Sequence, residues 1–170
     1  MQRIAIIGNA GGGKSVLARD LGARLDLPVY EVDQFQWQPG WVQTPLDEIA
    51  AIYKNWLEEP SWIIDGWGDW DALRKRFDRA DTIVMVDLPI VLHYWWARRR
   101  QVLAFLGKSG GWPPQGCSAW PITWRLFKLM WHIHREMRPR LLALIDEFRN
   151  RKTVAHLRSR GDVKQFLNLT

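Results

Sequence analysis

The sequence predicts an α/β fold in three layers, a five-stranded parallel sheet with helices on both faces. Two observations carry that prediction. Short apolar runs rich in β-branched residues alternate with longer segments of helical spacing, the pattern of a parallel sheet buried on both sides. A glycine-rich turn joins the first run to the first helical segment, where such folds change from strand to helix. The 170 residues are 47% hydrophobic and contain no internal repeat or linker, so one domain with one sizeable core is expected.

Arg3 to Ile7 is the first predicted strand, stopping at Gly8, and Val16, Leu17, Leu21 and Leu25 mark a helix over 14–25. After a Leu27-Pro28 break, 28–32 reads as a second, buried strand that ends at Asp33. Pro45 opens a helix at its tolerated first position, with Thr44 as N-cap, running to about Glu58. Residues 62–64 are the third strand, and Asp69 or Asp71 caps a short helix reaching Phe77. Residues 82–86 are the fourth, closed by Asp87 and followed by a helix over about 89–106. The Gly- and Pro-rich stretch 107–121 is a long loop, of the kind that serves as a lid or mobile segment. Helical pattern resumes at about Ile122, kinks or breaks at Pro139 and ends near Arg149. Residues 153–157 are the fifth strand and 162–167 a closing helix.

No apolar stretch behind a basic start opens the chain, and Lys and Arg interrupt every Trp-rich segment, so neither a signal peptide nor a membrane span is expected. The single Cys117 forms no intramolecular disulfide, which suits a cytoplasmic location. The net charge of +6 is unevenly placed. Residues 1–87 carry nine Lys and Arg against fourteen Asp and Glu; residues 88–170 carry fifteen against four. A basic second half suits a polyanion, either nucleic acid or nucleotide phosphates.

GNAGGGKS, from Gly8 to Ser15, satisfies G-x-x-x-x-G-K-[ST] between a predicted strand and a predicted helix, the context this phosphate-binding motif needs. The backbone of Gly8, Asn9, Ala10, Gly11, Gly12 and Gly13 curls around a β-phosphate, and Val16 continues the helix N-terminus that favours anions. Lys14 reaches the β- and γ-phosphates and the Ser15 hydroxyl ligates Mg²⁺, so ATP and Mg²⁺ are the expected ligands. A carboxylate for the metal shell comes from Asp65 in WIIDG or Asp87 in TIVMVDLP. Asp87 reads as a strand-end or turn residue ahead of Leu88-Pro89. Neither aspartate is followed by Glu and no N-K-x-D is present, which weighs against a motor ATPase or a GTPase and favours transfer to a bound acceptor.

RIAIIGNAGGGKS, LDLPVYEVDQFQWQPGW, WIIDGW, DTIVMVDLP, RPRLLALI and VAHLRSRGDVKQFL together resemble an adenylate-kinase-like P-loop kinase. More narrowly, the chain is similar to the small bacterial proteins labelled DNA topology modulation protein, FlaR-related, over essentially its whole length. The resemblance implies the P-loop NTPase fold with strand order 2-3-1-4-5, an acceptor-binding segment after strand two, and a helical lid insert at about 97–125. In adenylate kinases D-G-F-P-R follows strand three, with its aspartate near the Mg²⁺ waters and its arginine on the acceptor phosphate. Asp65-Gly66-Trp67 matches the first three positions, which implies a metal-shell role for Asp65. Gly68-Asp69 replaces Pro-Arg, which argues against a nucleoside monophosphate acceptor. The resemblance also places arginines after strand four over the triphosphate, here Arg98 to Arg100. Successive helical residues diverge by about 100°, so not all three aim at one ligand, and Arg98 and Arg100 are the candidates. Arg135, Arg138 and Arg140 form a weaker set of the same kind, and Arg158 falls beside the expected base site.

Asp33 reads either as a strand-end cap or as the group that accepts a hydroxyl's proton on the acceptor side. Phe35, Trp37 and Trp41 then wall a pocket for a small hydroxyl compound, nucleoside or nucleotide, with Asp65 and Gly66 on its phosphate side. Trp124, Phe127 or Lys128, and Trp131 fall at helical spacing that reads as packing against a neighbouring helix, ahead of partner or membrane-surface contact. Two functions follow: an ATP- and Mg²⁺-dependent phosphotransferase acting on a small acceptor, or an NTP-binding regulator that binds nucleic acid and modulates DNA topology. The basic half and its aromatics serve either.

Overall fold

In chain order the elements are β1 (Arg3–Gly8), α1 (Lys14–Leu25), β2 (Val29–Glu31), α2 (Val32–Phe35), β3 (Trp37–Gln38), β4 (Val42–Gln43), α3 (Leu46–Glu58), β5 (Trp62–Asp65) and α4 (Trp70–Arg79). They continue with β6 (Thr82–Val86), α5 (Ile90–Phe105), α6 (Thr123–His132), α7 (Arg138–Asp146), β7 (Thr153–Leu157) and α8 (Arg160–Leu169). This computed structural model describes residues 1–108 and 113–170. Trp112 and the middle of the predicted loop lie outside the described residues.

Five strands form one sheet in the order β2-β5-β1-β6-β7, every neighbouring pair parallel. Numbered among themselves, these strands run 2-3-1-4-5, the order the resemblance implies. Side-chain alternation sorts the core into two faces. Ala5, Ile7, Trp62, Ile64, Ile83 and Met85 point to one side, where Trp56, Leu73, Phe77 and Leu144 of α3, α4 and α7, with Phe148 just beyond α7, cover them. Ile4, Ile6, Ile63, Val84 and Val86 point to the other, against Leu17 and Leu21 of α1 and Phe166 of α8. Each of these large side chains contributes about 2 kcal/mol by leaving water.

Several local expectations are corrected. The second strand is three half-buried residues at the sheet edge, not a buried run, and Asp33 lies beyond it in the first turn of α2. Thr44 does not cap α3. Its hydroxyl donates to the Phe35 carbonyl at 2.8 Å, closing the small antiparallel ribbon of β3 and β4. Asp69, rather than Asp71, caps α4 by accepting from the Ala72 N–H. The closing helix starts earlier than predicted because Ser159 and Asp162 form a reciprocal capping box.

Pro139 does not break the long helix. Residues Ile133–Met137 adopt π geometry, and the Arg138 N–H bonds the Ile133 carbonyl five residues back. The wider turn absorbs the proline's missing N–H and ring just before α7 begins. It also delivers Arg138 to Asp87 in a two-pronged contact, Nε and Nη2 each 2.7 Å from a carboxylate oxygen. His156 Nε2 meets the same carboxylate at 2.7 Å, so Asp87 ties β6, β7 and α7 together.

Burial alone raises the Asp87 pKa, but hydrogen bonds from Arg138 and His156 outweigh it and hold the carboxyl below its ordinary range. A carboxyl depressed on folding contributes its full stabilisation above its unfolded pKa of about 3.9 and loses it as pH falls through the folded value. Asp87→Asn is therefore expected to cost about 2 kcal/mol at neutral pH. It should also flatten the acid limb of the stability curve below about pH 4, measured by urea unfolding across a pH series.

Candidate active site

The loop between β1 and α1 is shaped by glycines that nothing else replaces. A Cβ at Gly8 (φ 154°) would lie 2.2 Å from the Val86 carbonyl oxygen, and one at Gly11 (φ 71°) 2.6 Å from the His93 carbonyl oxygen. Around them, neighbouring elements hold the loop by its polar atoms. Trp67 Nε1 donates to the Gly8 carbonyl at 2.8 Å, Lys14 Nζ to the Asn9 carbonyl at 3.1 Å, and Asn9 Nδ2 to the Met130 carbonyl on α6 at 2.8 Å. His93 Nδ1 sits 3.0 Å from the Ala10 carbonyl, which assigns its proton to that nitrogen. Burial, with the nearby Lys14 charge adding to it, lowers the His93 pKa, so the ring is a neutral prop.

Ser15 Oγ donates to Asp65 Oδ2 at 2.6 Å, linking the first turn of α1 to the last residue of β5. Asp65 is 2% exposed and its Oδ1 is buried with no hydrogen-bond partner among the described residues. Burial pushes its pKa up; the Lys14 charge and the Ser15 bond pull it down without cancelling that rise, and Asp33 and Glu31 push it further up. A buried carboxylate with an orphan oxygen beside a hydroxyl fits a hard cation whose other ligands come from phosphates and water. Ser15 and Asp65 are the residues that would hold Mg²⁺.

Asp33 lies across from this pair. Its Oδ1 is 3.4 Å from where a Cβ would stand on Gly66 (φ 115°), so Gly66 lets the two aspartates share one edge. The half-buried Arg100 feels the Asp33 charge, which opposes the lowering of its pKa by burial. Arg98 and Arg99 are exposed. Among the three, Arg100 is the guanidinium brought toward Asp33. Arg76, buried beneath the same turn, donates to the Gly66 carbonyl at 2.7 Å and stacks over Tyr53.

The aromatics after Asp33 form an edge rather than a closed wall. Phe35 is exposed and meets Trp56 edge-on at 4.9 Å; Trp37 and Trp41 meet edge-on at 5.7 Å. Their ribbon is fastened to the later part of the predicted insert. The Gly40 N–H donates to Gly116 and Trp41 Nε1 to the Ser118 carbonyl at 2.8 Å. Val16 is exposed one residue beyond Ser15. Arg158 is exposed, its guanidinium 3.4 Å from His156 Nδ1. Arg138 belongs to Asp87, and Arg140 covers Trp70 at 4.1 Å.

Sequence reasoning missed His93, Trp67 and Arg76. Trp67 had a signal in the matched D-G-F position. His93 and Arg76 had none, because a lone polar residue within a helical pattern gives no hint of the carbonyl it meets.

No protein-family model matches the chain, and no curated protein matches it. Solved structures do. The chain is similar in fold to a shikimate kinase from Acinetobacter baumannii in complex with shikimate (TM-score 0.60, 10% identity, 99% of this chain and 90% of that one). It is similar also to a shikimate kinase from Bacteroides thetaiotaomicron (TM-score 0.51, 12% identity, 99% and 95%). At such identities the likeness is one of fold: this chain shares the α/β fold of those two kinases.

Ionising the buried Asp65 works against folding, because its pKa is raised and the penalty is present above the folded-state value. Asp65→Asn keeps an acceptor for Ser15 and removes that penalty. It is expected to unfold no more easily than the native chain, and up to ~1 kcal/mol less easily, in ligand-free thermal denaturation at neutral pH.

Proposed function

We propose that this chain is an ATP- and Mg²⁺-dependent phosphotransferase that moves the γ-phosphate to the hydroxyl of a small acceptor. One observation carries the reading: Asp33 stands beside Gly66, directly after Asp65, whose carboxylate is bonded to Ser15 of the phosphate loop. Phosphate handling and a second carboxylate thus meet on one edge of the sheet, outside the carboxyl ends of the strands where open α/β folds bind ligands.

In this reading Lys14 and the loop backbone position the triphosphate, and Mg²⁺, when bound at Ser15 and Asp65, supplies charge neutralisation for the phosphates. Asp33 accepts the proton of the acceptor hydroxyl, whose oxygen bonds to the γ-phosphorus while the bond to the β–γ bridging oxygen breaks and ADP leaves. Arg100, which feels the Asp33 charge, offsets charge building up between them, and Arg98, exposed on the same helix, is the second candidate for that role. Phe35, Trp37 and Trp41 border the acceptor, and the turn carrying Arg158 lies at the base end.

The acceptor class is a compact hydroxyl compound. Gly68-Asp69 stands where an arginine for a nucleotide phosphate is expected, and the fold neighbour holding shikimate holds a small hydroxylated molecule. A nucleoside also fits a hydroxyl site edged by aromatics. Within P-loop kinases the adenylate-kinase-like group, and the FlaR-related proteins in it, is the placement that the sequence segments support.

The test is acceptor-dependent ADP release across sugars, hydroxy acids, nucleosides and nucleotides, with and without DNA. Turnover raised by one small metabolite and indifferent to DNA supports the proposal, whereas turnover that follows DNA alone sinks it. Lys14→Ala should abolish turnover. Asp33→Asn should retain ATP binding, read by thermal shift, yet lose about 10²–10⁴ in transfer rate; full transfer by Asp33→Asn would show that the proton goes elsewhere. Asp65→Asn should lose the thermal shift from Mg·ATP while keeping its ligand-free stability.

A further inference from the structure

Residues 88–135 contain six of the chain's twelve tryptophans, seven Lys and Arg, and no Asp or Glu. The expectation of inward packing holds for Trp96, which packs against the core, and is corrected for Trp95, Trp120, Trp124 and Trp131. α6 buries Leu126 and Met130 against Ala97, Tyr94 and Phe127, with Ile133 buried just beyond, and turns the stripe of Trp124, Lys128, Trp131 and Arg135 outward. The reason is electrostatic: that stripe carries two cations, and the segment has no acid to pair with them on burial.

The exposed fractions are large: 72% for Trp120, 68% for Trp124, 60% for Trp95 and 50% for Trp131. On α5 the exposed Val91, Trp95, Val102 and Phe105 recur at helical spacing. The Phe105 and Trp120 rings meet edge-on at 5.6 Å, joining the end of α5 to the approach to α6. Lys128 and Arg135 lie over the Trp124 and Trp131 rings at 5.6 and 5.7 Å.

We infer that the outward face of α5 and α6 docks the protein on an anionic lipid bilayer. The charge pattern selects that occupant. Indole rings settle at headgroup depth, aliphatic side chains go below them, and Lys and Arg reach back to lipid phosphates. A second copy of this chain would set one acid-free basic surface against another, since a two-fold interface pairs a patch with itself. A single strand of nucleic acid would use the rings and cations but leave Val91, Val102, Leu106 and Leu129 without partners among the bases. Among the described residues no helix is long and apolar enough to cross a membrane, so the contact is peripheral.

The test is co-sedimentation of the full chain with vesicles of phosphatidylcholine alone or mixed with phosphatidylglycerol. Binding to the anionic vesicles is expected, at least about tenfold weaker to the neutral ones, and weakened by salt. The paired variants Trp120→Ala/Trp124→Ala and Arg125→Glu/Lys128→Glu should each reduce partitioning about tenfold. Their thermal unfolding should stay as in the native chain, because all four positions are exposed. The proposal is overturned if anionic vesicles stay unbound at low salt, if neutral vesicles bind equally, or if neither pair of substitutions matters. A single-stranded oligonucleotide bound through the same residues, with vesicles ignored, would reassign the face to nucleic acid. A dimer lost in the same variants, again without vesicle binding, would reassign it to self-association.

Discussion

The hydrogen bond from Ser15 to Asp65 depends on strand register before it depends on either residue. β5 pairs with β1 so that Ile6 lies opposite Asp65, two residues before the phosphate loop begins. Side chains alternate along a strand, so a slip of one residue would turn Asp65 toward the opposite face and away from α1. What prevents the slip is apolar: Trp62 and Ile64 are committed to the core on one side of the sheet and Ile63 to the core on the other. The core therefore aims the carboxylate, and it can carry the burial penalty of that group because no single contact decides the register.

The phosphate loop is supported in the same indirect way. Trp67, Lys14 and His93 approach from the turn after β5, from α1 and from α5 and donate to the carbonyls of Gly8, Asn9 and Ala10. Within a planar trans peptide the N–H points opposite to the C=O, so props on the carbonyl side turn the following amides the other way. One of those amides, that of Ala10, bonds the Asn9 side chain, which in turn anchors to α6. Loop shape is thus tied to α1, α5, α6 and the turn after β5.

Legibility in the sequence followed the range of the forces involved. Strands β1, β5, β6 and β7 and the phosphate loop were readable because alternation and glycine spacing are local signals. Asp33 was readable as a residue of interest but not as part of a helical turn, since a three-residue edge strand has too little periodicity to mark its end. The π segment was invisible because its cause, Pro139, normally reads as a break, and its consequence, Arg138 on Asp87, spans 51 residues. On α6 two stripes share the helical period, and only the Ala97 surface opposite shows which one is covered.

The charge asymmetry between the halves acquires a structural meaning at the site. Glu31 and Asp65 are register partners on β2 and β5, and Asp33 follows close behind, so three carboxylates crowd one sheet edge. Each meets a cation from a different place: Glu31 pairs with Arg19, Asp65 feels Lys14, and Asp33 faces Arg100. Asp87, from the same acidic half, draws Arg138 from the basic half. Part of the basic surplus therefore holds the second half of the chain against the first, as fold rather than as ligand site. Setting aside Arg98 and Arg100 at the site leaves Arg99, Lys108, Arg125, Lys128 and Arg135 in a stretch without acids that also carries exposed tryptophans. A surplus that folding does not consume and that lies on apolar helix faces has to be explained by what the surface meets in solution.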